Sequence, residues 1–174
     1  VHASLDLYPT LLDAAGGQKK KGQVLDGKSL IPLLKENRIV DRKAMFWHVP
    51  HYLAQPGNHF RVTPHSAVRK GDFKLIEFFH DHFEYDESAR TAIRKAADDY
   101  APYPLDGARY VPKAKIELFN IKKDIGEQND LSAEMPGKVA ELKALLVHWR
   151  KSVGAQMPVK NPRFNPESKK PRKN

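Results

Sequence analysis

"SAVRKGDFKLIEFF", residues 66–79, is the stretch that decides the fold. Two apolar runs flank Gly71-Asp72, a pair suited to a tight turn, so the spacing predicts a β-hairpin. The second run carries apolar side chains at both parities: Phe73, Leu75 and Phe79 against Ile76 and Phe78. A strand with this pattern is expected in the middle of a sheet, covered on both faces.

Working outward, "KAMFWHV" (43–49) reads as a strand rich in aromatic and branched residues and stopped by Pro50. "KIELFNI" (115–121) alternates and predicts another strand. The polar run "DIGEQNDLSAEMP" leads into a helix that Pro136 can open. Val139, Leu142, Leu146, Trp149 and Val153 fall on one face of that helix with Leu145 beside them, while Lys138, Glu141, Lys143 and Lys151 face water. Gly154 closes it. Before the sheet, "SLDLYPTLLDAA" (4–15) predicts a short helix capped by Ser4, with Leu5, Tyr8, Leu12 and Ala15 on one side and Gly16-Gly17 at its end. "DGKSLIPLLKEN" (26–37) predicts one or two helical turns that bury Leu30, Leu33 and Leu34. The fifteen or so residues after Pro50 contain Pro56, Gly57, Asn58 and Pro64 and read as loop. Residues 81–115 read as an excursion between two strands: a helix over 87–100, then the loop "APYPLDGARYVP". The expected class is α+β, a small antiparallel sheet packed on one amphipathic helix.

A chain of 174 residues is long enough for one hydrophobic core. No apolar run is long enough to cross a bilayer, and no basic start followed by an apolar block marks a signal peptide. The first residue is Val rather than Met, which suggests a piece of a longer protein. Cysteine is absent, which excludes disulfides, thiolate ligands and a thiol nucleophile from these residues. The net charge is +9, but most of it is local. Six basic residues (Lys160, Arg163, Lys169, Lys170, Arg172, Lys173) face one acid, Glu167, in a proline-spaced tail, and Lys19, Lys20 and Lys21 form a loop. A reader of phosphates spreads cations over a folded face with aromatics between them, so this distribution argues against nucleic-acid binding.

In order, "SLDLYPTLLDAAG", "LDGKSLIPLL", "FWHVPHY", "SAVRKGDFKLIEFF" and "ELFNIKKDIGEQNDL", with the closing helix, resemble the C-terminal part of the type I sulfatases of the alkaline-phosphatase-like superfamily. The bacterial arylsulfatase A-like members are the most similar. "RKGDFKLI" followed by "ELFNIKKDIGEQNDL" carries the resemblance, since sequence and order both agree. It spans nearly the whole chain apart from the insert 81–115 and the basic tail. It implies three parts: residues 1–40 as the end of the large sulfatase domain and a linker; 41–158 as the C-terminal subdomain, a small four-stranded antiparallel sheet packed against a long C-terminal helix, with the insert 81–115; and 159–174 as a basic tail expected to be disordered.

The resemblance also implies what the remainder would hold. Family members use a formylglycine, made from Cys or Ser in a C/S-x-P-x-R motif, and a calcium ion held by acidic residues and an amide. This chain has no Cys and no Ser-x-Pro-x-Arg; in "SKKPR" (168–172) the proline comes one place late. Asp98-Asp99 ends a helical pattern in the insert and reads as solvated surface. The expectation is therefore no catalytic residue, metal ligand or cofactor in the chain itself. Its expected partners are the missing N-terminal domain and a sulfated small molecule or polysaccharide, and its location by family is periplasmic or secreted. A free-standing module for anionic polysaccharide is the alternative. Residues 1–37, parted from the large domain, are expected to be looser than the sheet and closing helix.

Four of the eight histidines lie in "FWHVPHYLAQPGNHFRVTPH", residues 46–65. His48 and His51 form H-x-x-H, but Pro50 excludes a regular helix and residues three apart on a strand point to opposite faces, so one shared metal ion is not expected. The resemblance makes the turn after "FWH" a rim of the substrate cleft, with His51 or His48 donating to a sulfate or sugar hydroxyl. His59, Arg61 and His65 belong to the same rim or to a solvated loop. Arg69 and Lys70 at the hairpin end face an anionic ligand or water. His80-Asp81-His82 reads as surface, His148 as a boundary residue, and Trp47 and Trp149 as core anchors.

Overall fold

The computed structural model describes residues 3–55, 59–85, 88, 108–159 and 161–163. The chain divides into two compact units, residues 1–45 and 46–174.

The first unit opens with a 3₁₀ turn, Ser4–Asp6, that runs into helix α1, Leu7–Ala14. Pro9 fits because the third helical residue has no intrahelical use for an N–H. Gly16 adopts φ +67 and the Gly17 amide donates to Leu12 O at 2.9 Å, a Schellman ending. Ser4 does not cap the helix. Asp6 organises this end instead, since its Oδ2 accepts from the Ala3 amide and its Oδ1 from the Lys28 amide, each at 2.9 Å. Helix α2, Ile31–Glu36, ends at Asn37, whose φ of 52 is left-handed. Leu34 is exposed rather than buried.

In the second unit four strands form one sheet in the order β1-β4-β5-β8: Met45–Val49, His65–Lys70, Phe73–Phe78 and Lys115–Asn120. Met45, at its start, is the last residue of the first unit. The hairpin β4–β5 is in register from His65↔Phe78 to Lys70↔Phe73, so only Gly71 and Asp72 make the turn. Gly71 has φ +59, which a residue with a Cβ adopts poorly. β5 is central, flanked by β4 and β8, as its double-sided apolar pattern predicts.

Helix α3, Pro136–Ser152, covers one face of this sheet. Val68, Leu75, Leu118, Leu142 and Leu146 are at most 1% exposed and form the core between them. Each such side chain contributes about 2 kcal/mol of transfer free energy. Phe46 stacks on Trp149 with ring centroids 4.7 Å apart and planes at 4°. The charges on α3 do not simply face water. Lys138 sits over the Phe73 ring, Lys143 pairs with Glu77 at 3.4 Å, and Lys70 on β4 pairs with Glu141 at 2.7 Å. Lys and Arg stems long enough to lie along the sheet reach acids that the helical wheel alone does not show. Glu141, hydrogen-bonded by Lys138 and Lys70, is held down to about 2.

Two ribbons depart from the expected loops. β2, Leu53–Gln55, pairs with β3, His59–Val62, where the residues after Pro50 read as loop. β6, His82–Tyr85, pairs with β7, Ala108–Val111, closing the base of the insert. Ala108–Val111 therefore lies in a strand and not in the predicted loop; pairing across 22 intervening residues leaves no local signal. The helix expected over 87–100, and Asp98-Asp99 with it, lies outside the described residues apart from Ser88. Among the described residues no helix is long and apolar enough to cross a membrane.

Candidate functional site

β-strand alternation sorts the candidate residues onto two faces. Phe46 and His48 turn toward α3, as do Ser66 and Glu77. His65, Ala67 and Arg69 turn the other way with Ile76 and Phe78. Trp47, 41% exposed, falls on the face away from α3 and is no core anchor, whereas Trp149 is one through its stack on Phe46.

His48 is held at both ring nitrogens. Nε2 lies 2.7 Å from Gln156 O and Nδ1 lies 2.7 Å from the buried Ser66 Oγ. A carbonyl only accepts, so Nε2 carries the proton and the Ser66 hydroxyl donates to Nδ1 in the neutral ring. A ligand bond from His48 has to displace one of these. The contact ties the chain that leaves α3 back onto β1.

His51 is exposed in the bend after β1. His65 starts β4, with Nδ1 2.8 Å from Thr63 O and its ring against Phe78 at 5.7 Å. Tyr52 donates its hydroxyl to Asp81 Oδ2 just beyond β5. The end of β1, the start of β4 and the end of β5 therefore gather His51, Tyr52, His65 and Asp81 at one end of the sheet. Arg69 lies four residues along β4 from His65, about 13 Å away, beside the hairpin turn, with Nε 3.5 Å from Gly71 O. The fold thus brings His51 and His65 to one end and leaves Arg69 at the other. β3 contains His59 and Arg61, whose side chains lie outside the described residues.

Asp81 and His82, expected at the surface, are each 3% exposed. His82 Nδ1 is 2.7 Å from Lys113 O and Nε2 is 3.3 Å from Glu84 Oε1, so this histidine clamps the two ends of the insert. Arg109 pairs with Glu84, and that hydrogen bond, with the one from His82, lowers the Glu84 carboxyl below its ordinary value. Sequence reasoning misses Tyr52 and Asp81 as partners because they are 29 residues apart. A weak signal existed in that an aspartate follows closely on an apolar strand.

Among the described residues no three His, Asp or Glu side chains converge as a metal site requires. The described surface also leaves large apolar side chains open in the first unit: Leu7, Tyr8 and Leu11 on α1 are 51–68% exposed.

The family described as "N-sulphoglucosamine sulphohydrolase, C-terminal" matches residues 1–92, just over half the chain. A sulfatase of Formosa agariphila is 27% identical over 139 residues, 78% of this chain and 19% of the relative. An N-acetylglucosamine-6-O-sulfatase of Bacteroides thetaiotaomicron is 34% identical over 89 residues, 49% of this chain and 15% of the relative. Among solved structures, a protein in complex with its substrate D-glucosamine-2-N,6-O-disulfate is 27% identical with a TM-score of 0.54, over 88% of this chain and 24% of that one. A 2-O GAG sulfatase, at 20% identity and TM-score 0.52 over 86% of this chain and 25% of that one, shares the fold. The chain spans no more than a fifth of the length of the curated relatives it matches. Family match, strand order and closing helix agree, and the chain belongs to the N-sulphoglucosamine sulphohydrolase C-terminal family, the C-terminal part of a sulfatase of the alkaline-phosphatase-like superfamily.

Proposed function

We propose that this chain forms a wall of the substrate cleft, and a structural support, in a sulfuric ester hydrolase whose nucleophile and metal ligands lie elsewhere in a longer polypeptide. The observation that carries this reading is the likeness over 88% of the chain to a protein solved with a disulfated glucosamine. The substrate class is a sulfated sugar or polysaccharide. His51 and His65, at one end of the sheet, are the rim donors to sulfate or hydroxyl oxygens, with His48 behind them as the residue that fixes the turn. Arg69 attracts a second anionic group farther along the face.

Hydrolysis of a sulfate ester needs a nucleophile and stabilisation of the charge on the sulfate oxygens. The formylglycine and calcium of the family would supply these from the larger N-terminal domain. That domain would also cover Leu7, Tyr8 and Leu11, an apolar surface that favours a partner. The location, by likeness to the family, is periplasmic or secreted. The purified 174-residue chain is expected to turn over no aryl sulfate; hydrolysis at rates near those of whole sulfatases overturns the reading.

A second reading is a binding module for anionic polysaccharide, favoured by the six cations against one acid from Lys160 onward. Binding to a sulfated polymer that survives deletion of residues 160–174 supports a folded site. Loss of all binding with that deletion reduces it to charge attraction.

A further inference from the structure

We propose that His82 is held as an imidazolium between Lys113 and Glu84, and that loss of its proton loosens the β6–β7 ribbon. The inference stands apart from the cleft-wall reading and concerns a proton-sensitive contact built into the fold.

The proton count follows from the two partners. His82 Nδ1 lies 2.7 Å from Lys113 O and Nε2 lies 3.3 Å from Glu84 Oε1. A carbonyl and a carboxylate only accept, so each ring nitrogen has to donate, and only the charged ring carries both protons. Glu84 does not escape this by holding a proton itself. The hydrogen bond from Arg109, and after it the one from His82, lower its carboxyl, which keeps it an acceptor. In a neutral ring one nitrogen lone pair faces an acceptor oxygen. At 3% exposure water has little room to replace the lost bond. The other two held histidines differ. His48 has the Ser66 hydroxyl, which can donate, and His65 meets one carbonyl, so a single ring proton suffices for each.

The parts of the contact span the ribbon. His82 opens β6, Lys113 follows β7, and Glu84 pairs with Arg109 across the two strands. The neighbouring elements bring further charges. Asp81 precedes His82 and accepts from Tyr52, and Lys115 and Glu117 pair at 2.8 Å on β8. His65 on β4 and His82 both contact the Phe78 ring. Among the described residues Glu84 is the acid placed against a His82 nitrogen, and it supplies the counter-charge a buried cation needs. The longer bond, to Glu84, is the one a neutral ring gives up. Glu84 is also the residue that joins β6 to Arg109.

The test is a titration of the 174-residue chain from about pH 5 to about pH 9, following the histidine ring nitrogens by NMR and amide exchange in parallel. The expected His82 ring has two protonated nitrogens at the acid end and one at the alkaline end. In step with that change, protection of the β6 and β7 amides falls about fivefold or more, while β4–β5 protection holds. Glu84→Gln sets an amide that both donates and accepts against Nε2, so the ribbon stays and the pH step disappears. The Phe46–Trp149 stack, read by near-UV dichroism, reports that the variant is folded. A bare His82 nitrogen at the acid end, a ring that keeps both protons throughout, or a titration that leaves ribbon protection unchanged overturns the proposal. So does a step that persists in Glu84→Gln.

Discussion

Replacing Asp6 by Asn should release the first unit while leaving the sheet intact. Asp6 is fully buried, and its carboxylate accepts from the Lys28 and Ala3 amides and from Arg42, whose side chain is 9% exposed. Burial alone would raise its carboxyl, but the two backbone hydrogen bonds and the Arg42 guanidinium outweigh that and lower it. Asn is nearly isosteric but fails twice. Its amide nitrogen must face a donor whichever way it turns, and Arg42 loses its counter-charge in a buried place. Breaking a buried pair by removing one partner costs about 3–5 kcal/mol. Apart from Asp6 and Pro9, no residue from Ala3 to Ala44 is buried, so little else there resists opening. In native-state hydrogen exchange the Lys28 amide should lose about two to three and a half decades of protection. Val68 and Leu75 amides in the sheet should not change. The lowered carboxyl also sets a pH dependence: Asp6 contributes fully above its unfolded value of about 3.9 and is lost as pH falls through the lower folded value. Lys28 protection in Asp6→Asn within about threefold of the parent, set against the decades expected, would refute the claim that this carboxylate organises the unit.

Leu146→Ala, at a side chain with no exposure, should cost about 3 kcal/mol and lower the denaturant midpoint without changing its slope. Gly71→Val places a branched residue at φ +59 in a two-residue turn and should destabilise the hairpin by about 1–2 kcal/mol, read by thermal unfolding. Glu141 should titrate near 2 by carbon-detected NMR, and Lys138→Ala with Lys70→Ala should return it toward the ordinary carboxylate range. A midpoint already in that range in the parent would show that neither lysine holds it.

The hairpin at Gly71, the central position of β5 and the apolar stripe of α3 were legible because each is a local pattern. A two-residue turn, a period of two and a period near 3.6 are written within a dozen residues. The family's ordered motifs were legible for the same reason. The ribbon β6–β7 was not, since its pairing joins segments 22 residues apart that carry no mark of one another; β2–β3, though its strands are only three residues apart, was hidden because Pro56, Gly57, Asn58 and Pro64 make that stretch read as loop. The candidate site divides in the same way. Histidines 48, 51 and 65 stand out by residue type, but a sequence does not say that His48 spends both nitrogens on Ser66 and Gln156, or that Arg69 sits at the far end of the strand. Nor does it show Tyr52 against Asp81, or place Asp81 and His82 out of solvent.

By itself, then, the sequence determined the element types, the two-sided sheet strand, the closing helix and the kinship, because short-range sterics and hydrophobic period act within each segment. Only the tertiary structure decided which charges on α3 pair with the sheet, which histidines are committed, and which end of the sheet collects the candidate groups. Those outcomes depend on side chains brought within 3.5 Å of their partners across 18 to 108 residues of chain, a separation that no local preference encodes.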